Sequence, residues 1–305
     1  MGIEFQALTW ETVDTDDEHL VSIFGKTEDG RSTCVTTAFT PYFFIKLRER
    51  VTPQAVQEIY HVLDKKCPEC LVSYSIMKSK DVWGFQNNKE FAYMKLDFKN
   101  LKSRRRVDYM LRSPVQLSHG TERFKVFESN IDPVLRLMHR TGIQSTGWLN
   151  SGDSCVRTHL AKVDIDLFCN DCRTLKPIAR DDIAPFVVAS FDIECNSSTG
   201  KFPDPNVRDD ACFQIAISLC KFGSAEPYDK TCLCYKKTDT NLEGSNIISF
   251  DTEREMLEAF HTYIHEKDVD IMTGWNIFGF DLDYIYTRAF MTGCNPEFFK
   301  LGKLK

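Results

Sequence analysis

Phe186-Val187-Val188-Ala189-Ser190-Phe191-Asp192-Ile193-Glu194-Cys195 runs from an apolar stretch into two carboxylates spaced two residues apart. The apolar run predicts a buried strand. Residues i and i+2 of a strand share a face, so Asp192 and Glu194 project side by side while Phe191, Ile193 and Cys195 take the other face. Two carboxylates this close repel each other and lose solvation where they are partly buried. A bound cation, a basic partner or exposure to water relieves that cost. The stretch therefore admits a divalent-metal site or a strand end emerging into solvent.

Residues downstream bear on the choice. The segment 197–210 is polar, holds Gly200, Pro203 and Pro205, and reads as a loop. Residues 212–220 and 231–235 are apolar strands. Asp251 or Thr252 caps a helix over 253–266, with Glu255 near a capping-box position. Residues 270–273 form a short strand, 274–278 a connection, and 279–291 a helix. This order predicts a mixed sheet flanked by helices, as in RNase H-like nucleases. Asp281 falls near the start of the last helix, where free N–H groups favour a carboxylate. If the sheet forms in this order, Asp281 converges on Asp192 and Glu194. Three carboxylates suit two Mg²⁺ ions, with water and a substrate phosphate completing the ligation. The plainer reading of Asp281 is a helix cap, and Asp283 fits that reading better.

The first part of the chain has a different pattern. Strands are expected at 3–10, 20–24, 34–39 and 42–47, and Thr52-Pro53 opens a helix. Strands at 71–77 and 91–98, a helix at 103–111 and a strand at 124–127 complete a β-α-β-β-α-β order, the ferredoxin-like pattern also used by RNA-recognition modules. The basic run Lys99, Lys102, Arg104, Arg105, Arg106 and Arg112 suits nucleic acid, but a solvated helix face is the commoner explanation. Residues 131–141 form an amphipathic helix with Gly142 at its C-cap. Strands at 145–149 and 162–168 lead to a boundary near 175–185. The fold class is therefore α+β with an α/β part. Residues 1–180 form a β-rich N-terminal domain with a ferredoxin-like portion, and residues 181–305 a partial RNase H-like domain.

At 305 residues the chain is long enough for about two domains. Its 42% hydrophobic and 27% charged residues are ordinary for a soluble protein. No apolar run reaches the length of a membrane span, and Met1-Gly2-Ile3-Glu4-Phe5 lacks a secretion signal. The net charge of −6 does not advertise nucleic-acid binding, which a local patch or a metal would have to supply. The 12 cysteines, many in strand-like contexts, read as reduced core thiols. Two CxxC pairs, Cys67/Cys70 and Cys169/Cys172, have the ligands for a four-thiolate zinc site, but their wide separation favours unligated loop cysteines.

Asp192-Ile193-Glu194 resembles the Exo I motif of family B DNA polymerases, and Asn276 with Phe280-Asp281 resembles their Exo II motif. The surrounding residues extend the likeness to polymerase delta: Phe202-Pro203-Asp204-Pro205, Gln214-Ile215-Ala216, and Asp270 to Asn276 running into Tyr284. Phe127-Glu128-Ser129-Asn130-Ile131 and Leu135 to Met138 are similar to the same family, and Gly274 to Tyr286 also resembles polymerases of large eukaryotic DNA viruses. The resemblance spans roughly 120–305; residues 1–119 match in general layout only. It implies a proofreading 3′→5′ exonuclease ahead of a polymerase. Asp192, Glu194 and Asp281 would then be catalytic metal ligands for Mg²⁺, and Asn276 and Phe280 would contact the single-stranded primer end. It further implies primer–template DNA as substrate, accessory subunits and a sliding clamp as partners, and no membrane. The implied location is the nucleus, or the nucleus or cytoplasm of a host cell for a viral protein. The family's third exonuclease motif, Tyr-x-x-x-Asp, is matched only by Tyr60-His61-Val62-Leu63-Asp64 in the first predicted helix. The palm motifs and C-terminal cysteine modules have no match. These residues read as the truncated N-terminal part of a polymerase, with little or no nuclease activity expected of them alone. A non-catalytic module that holds single-stranded nucleic acid or a partner is the alternative.

Overall fold

The structure is a computed structural model that describes residues 2–81, 83–238 and 242–305. The chain opens with β1 (Glu4–Asp14), β2 (His19–Lys26), β3 (Ser32–Ala38) and β4 (Tyr42–Lys46). Next come α1 (Pro53–Lys66), β5 (Leu71–Lys80), β6 (Glu90–Phe98) and α2 (Leu101–Leu111). A hairpin of β7 (Val115–Leu117) and β8 (Gly120–Glu122) precedes β9 (Val126–Phe127) and α3 (Pro133–Thr141). The short strands β10 (Trp148–Asn150), β11 (Val156–Arg157), β12 (Ile165–Cys169) and β13 (Lys176–Ile178) follow. The remaining elements are β14 (Val187–Cys195), β15 (Cys212–Lys221), β16 (Asp229–Tyr235), β17 (Asn246–Phe250), α4 (Glu253–Glu266), β18 (Ile271–Thr273) and α5 (Asp281–Thr292).

The ferredoxin-like unit forms as its pattern requires. Its sheet runs β5-β6-β4-β9. Phe43, Ile45, Met94, Leu96 and Phe98 share one core with Val56, Ile59 and Leu63 of α1 and Val107 and Leu111 of α2. Pro53 sits in the first turn of α1, and Thr52 Oγ1 accepts the Ala55 N–H at 3.2 Å. This unit is an insertion, because β1, β2 and β3 lie in a seven-stranded sheet with β10, β11, β12 and β13 from beyond it. The solvated-face reading of the basic run holds for Arg105 and Arg106, which are exposed, but fails for Arg104. Arg104 is buried and donates from Nη1 to the Ile131 carbonyl at 2.9 Å.

The reduced-thiol reading also needs correction. Cys155 and Cys169 form a disulfide, because the short strands β10 to β12 bring two strand ends together. That bond takes Cys169 out of its CxxC pair, while Cys67 and Cys70 are buried in the ferredoxin-like core. The four-thiolate site is not assembled.

The second sheet has the order β17-β16-β15-β14-β18. The β14–β15 and β15–β16 pairs are antiparallel, whereas β16–β17 and β14–β18 are parallel, so the sheet is mixed. The sequence reading omits β17, whose Asn246-Ile247-Ile248-Ser249-Phe250 is short and largely exposed. One face of the sheet is covered by helices. Met256, Leu257, Phe260 and Ile264 of α4 and Tyr284, Ile285 and Ala289 of α5 pack with Phe191, Ile193, Ile215, Ile217 and Leu233. Burying each large apolar side chain contributes about 1.5–3 kcal/mol. Thr252 and Glu255 complete the capping box of α4. A buried ionic group ties the two sheets together: Lys26 Nζ of β2 lies 2.6 Å from Asp270 Oδ2 and 3.1 Å from Asp268 Oδ2.

Candidate functional site

The alternation along β14 follows from its sequence. Phe191 and Ile193 point into the core, while Asp192 and Glu194 are exposed on the opposite face. Asp192 lies opposite Ala216 and Glu194 opposite Gln214, with a register shift immediately after Glu194. On the other edge, pairing with β18 ends at Ser190↔Thr273. There the chain crosses β14 at Gly274. A Cβ at this position would meet the Phe191 carbonyl oxygen at 2.4 Å, so the close approach requires glycine.

Asn276 then adopts φ +54, a left-handed conformation that asparagine tolerates better than most residues. Its carbonyl accepts the N–H groups of Gly279 at 2.9 Å and Phe280 at 3.1 Å, which turns the chain into α5. The Asn276 side chain is exposed and lies over Gly279. Phe280 occupies the N-cap without a side-chain capping bond, and Asp281 follows in the first turn.

Asp281 is only 3% exposed. Burial pushes its carboxyl above the usual range, and the negative charge of Asp192 acts in the same direction; the amides of Asp281 itself and of Ile193 pull it back. The Ile193 amide sits between Asp192 and Glu194 in the chain, so this contact joins the start of α5 to the acidic end of β14. Some acidic groups have basic partners, as Asp229 has Lys267, Glu253 has Arg288, and Asp270 has Lys26 and Lys303, while buried Asp166 and Asp210 are held by hydrogen bonds instead. Among the described residues, Asp192, Glu194 and Asp281 have no basic partner. The donor chemistry fits a hard divalent cation, being oxygen-only, acidic and uncompensated. Asp281 is within electrostatic reach of Asp192, but the expected convergence of all three carboxylates is not seen: among the described residues no three His, Cys, Asp or Glu side chains gather closely enough to hold a metal.

The loop 196–211 is organised around Asp210. Its Oδ1 accepts the Ser198 N–H at 2.7 Å and hydroxyl at 2.6 Å, and its Oδ2 accepts the Asp204 N–H at 3.0 Å. The Ser198 hydroxyl and these two amides hold the Asp210 carboxyl below the usual range. The Tyr284 hydroxyl of α5 donates to the Asp210 carbonyl at 2.7 Å. At the far side of the loop, Phe202 is 77% exposed and rests edge-on against Phe280, with ring centroids 5.1 Å apart. Sequence reasoning gave Phe202 no role. The available signals were a lone aromatic in a Gly- and Pro-bearing loop and the likeness of Phe202-Pro203-Asp204-Pro205 to polymerase delta. Asp283 is exposed and has no place in the site. Tyr60 and Asp64 belong to α1, where Tyr60 stacks on Tyr74 and Leu63 enters the ferredoxin-like core, so this match lies in a different core from β14 and α5.

Known proteins give an independent comparison. The family description "DNA polymerase family B, exonuclease domain" matches residues 124–305. The DNA polymerase of Paramecium bursaria Chlorella virus NY2A is 31% identical over 276 residues, covering 89% of this chain and 29% of that protein. The DNA polymerase delta catalytic subunit of Schizosaccharomyces pombe is 26% identical over 305 residues, covering 94% of this chain and 27% of that protein. The chain thus spans less than a third of the length of these relatives. The family B DNA polymerase of the hyperthermophilic archaeon Pyrobaculum calidifontis superposes with a TM-score of 0.67, covering 99% of this chain and 34% of that chain. At 18% identity that likeness speaks for the fold alone. With its mixed sheet, acidic strand end and family match over more than half of its length, this chain belongs to the family B DNA polymerases and carries their exonuclease domain region.

Proposed function

We propose that the chain is the N-terminal and proofreading region of a replicative DNA polymerase, divided near residue 180. Its chemistry is hydrolysis of the terminal phosphodiester at a single-stranded 3′ end. The carrying observation is Asp281, a buried carboxylate without a basic partner whose ionisation burial and Asp192 both oppose. Asp192, Glu194 and Asp281 would hold two Mg²⁺ ions. When bound, such ions polarise the phosphate, lower the pKa of an attacking water and stabilise the leaving oxygen. Asp281 fixes one side of the ligand set from the start of α5, and β14 fixes the other through Asp192 and Glu194. Phe280 and Phe202 offer ring faces to the terminal bases, and Asn276 offers an amide to the strand. The family implies accessory subunits, a clamp and a nuclear or host-cell location. No described helix is long and apolar enough to cross a membrane.

One observation favours the second reading, a binding module without catalysis: the open ligand set among the described residues. Fluorescence anisotropy of a 5′-labelled single-stranded oligonucleotide separates the two. Under the exonuclease reading, Mg²⁺ tightens binding of a free 3′ end, and Asp192→Ala or Asp281→Ala abolishes the tightening. Binding that ignores both Mg²⁺ and these substitutions would establish the binding module instead. Turnover by the 305-residue protein is expected to be slow, because Tyr60 and Asp64 lie outside the site.

A further inference from the structure

Asp281, Tyr284 and Arg288 follow one another at three- and four-residue spacing, so they share one face of α5. The first residue bears the candidate metal carboxylate and the second anchors Asp210. Arg288 is 3% exposed and has all of its N–H donors engaged. Nε and Nη2 hold Glu253 Oε1 at 2.7 Å and Oε2 at 2.5 Å in a fork. Nη1 donates to the carbonyls of Pro205 at 3.1 Å and Val207 at 2.8 Å, and Nη2 to that of Arg208 at 3.1 Å. Glu253 Oε1 also accepts the Cys212 N–H at 2.9 Å. One buried ion pair thus joins the first turn of α4, the last turns of α5, the start of β15 and three carbonyls of the loop backbone. A buried pair adds little net stability over an apolar replacement, so its use here is geometric. Lysine keeps the charge but lacks the planar fork that reaches five acceptors.

We propose that Arg288, acting through Glu253, is a positioning residue for the exonuclease site: it fixes loop 196–211 so that Phe202 stands against Phe280 as one wall of the slot for the single-stranded 3′ end. The proposal rests on the exonuclease reading for the slot's occupant, while the clamp itself is a property of the fold. Phe202 is otherwise mostly in solvent, and its ring contact is with Phe280. Its placement therefore depends on how firmly the loop backbone is held. The hydrogen bonds around Asp210 close the loop on itself, whereas Arg288 and Tyr284 fix it to α5.

The test uses the 305-residue protein as wild type, Arg288→Lys, Phe202→Ala and the double variant. Hydrogen exchange of peptides covering 197–210 is expected to quicken by about tenfold in Arg288→Lys, with β15 and α4 peptides and the circular dichroism unchanged. Affinity for a single-stranded oligonucleotide is expected to fall by about tenfold, the scale of one lost base–aromatic stack. Phe202→Ala should show the same loss, the double variant no further loss, and Mn²⁺ binding should be unaffected throughout. Unchanged loop exchange overturns the clamp. A loosened loop with undiminished oligonucleotide affinity, or losses that add in the double variant, overturns the positioning role. A wild type that fails to bind single strands contradicts the exonuclease reading and the slot with it, while the exchange arm still reads the clamp. Should Arg288→Lys unfold the protein, Glu253→Gln, which retains the acceptor for the Cys212 amide, gives the same readouts with the same expected losses.

Discussion

Asp281 is ionised at a cost, and the sign of that cost is testable. Its carboxyl titrates above the usual range because of burial first and the Asp192 charge second. Between the usual and the raised pKa the folded state retains a proton that the unfolded state has released, so this residue's contribution to stability falls as pH rises through that window. Asp281→Asn removes the penalty. In EDTA at neutral pH the variant is expected to melt about 2–4 °C above wild type, the shift that ~1 kcal/mol produces in a domain of 150–250 residues. A lower melting temperature would show that the charge is compensated. Asp192 and Glu194 were legible from period-two alternation alone, because one strand carries both. The partnership of Asp281 with β14 required the order of the elements as well. Phe202 against Phe280 and Arg288 against Glu253 were not legible, since nothing in the local sequence records a contact made across the fold.

At the scale of elements, the connection from β18 to α5 and the loop from β14 to β15 position the site. Gly274→Ala places a Cβ 2.4 Å from the Phe191 carbonyl oxygen. The clash is with backbone, so the strand or the connection must move, and a loss of about 1–3 kcal/mol is expected in urea unfolding. Stability equal to wild type would mean the connection relaxes freely. The loop should respond to acid. Asp210 is held below the usual carboxylate value of 3.8, so its stabilisation is present above that value and is lost as pH falls through the depressed pKa. Protection of the Ser198 and Asp204 amides, corrected for the intrinsic pH dependence of exchange, is expected to hold at pH 5 and to be lost only below the usual carboxylate value, earlier than in α4. Loss of protection at pH 5 would place the control elsewhere. Elements with strong periodicity and caps were readable, as α4 was over 253–266 and the start of α1 at Thr52-Pro53. β17 was not, because a short exposed strand gains its identity from pairing with β16 rather than from its own pattern.

On the scale of the molecule, a buried ionic group links the seven-stranded sheet to the exonuclease sheet. Lys26 and Asp270 are both nearly inaccessible, and Lys303 Nζ is a second partner at 2.7 Å from Asp270 Oδ1. Lys26→Met leaves Asp270 with Lys303 and the Val187 amide, so a loss near the low end of the about 3–5 kcal/mol typical of a broken buried pair is expected in thermal or urea unfolding. A loss below ~1 kcal/mol would show that these partners suffice. The presence of a second, mixed sheet was legible from the change of pattern that begins at Val187. That residues 4–14 pair with residues 148–150 across an inserted unit was not, because strand partners so distant in sequence leave no local signal. The account turns on whether the end of β14 and the start of α5 together hold a divalent cation. Titration of the protein with Mn²⁺, followed by water-proton relaxation, measures this without requiring turnover. The account predicts saturable binding that Mg²⁺ displaces and that Asp192→Asn and Asp281→Asn each weaken by at least about tenfold, the scale of one lost ligand or outer-shell contact. Mn²⁺ binding of equal strength in wild type and both variants, or none in wild type, would contradict it.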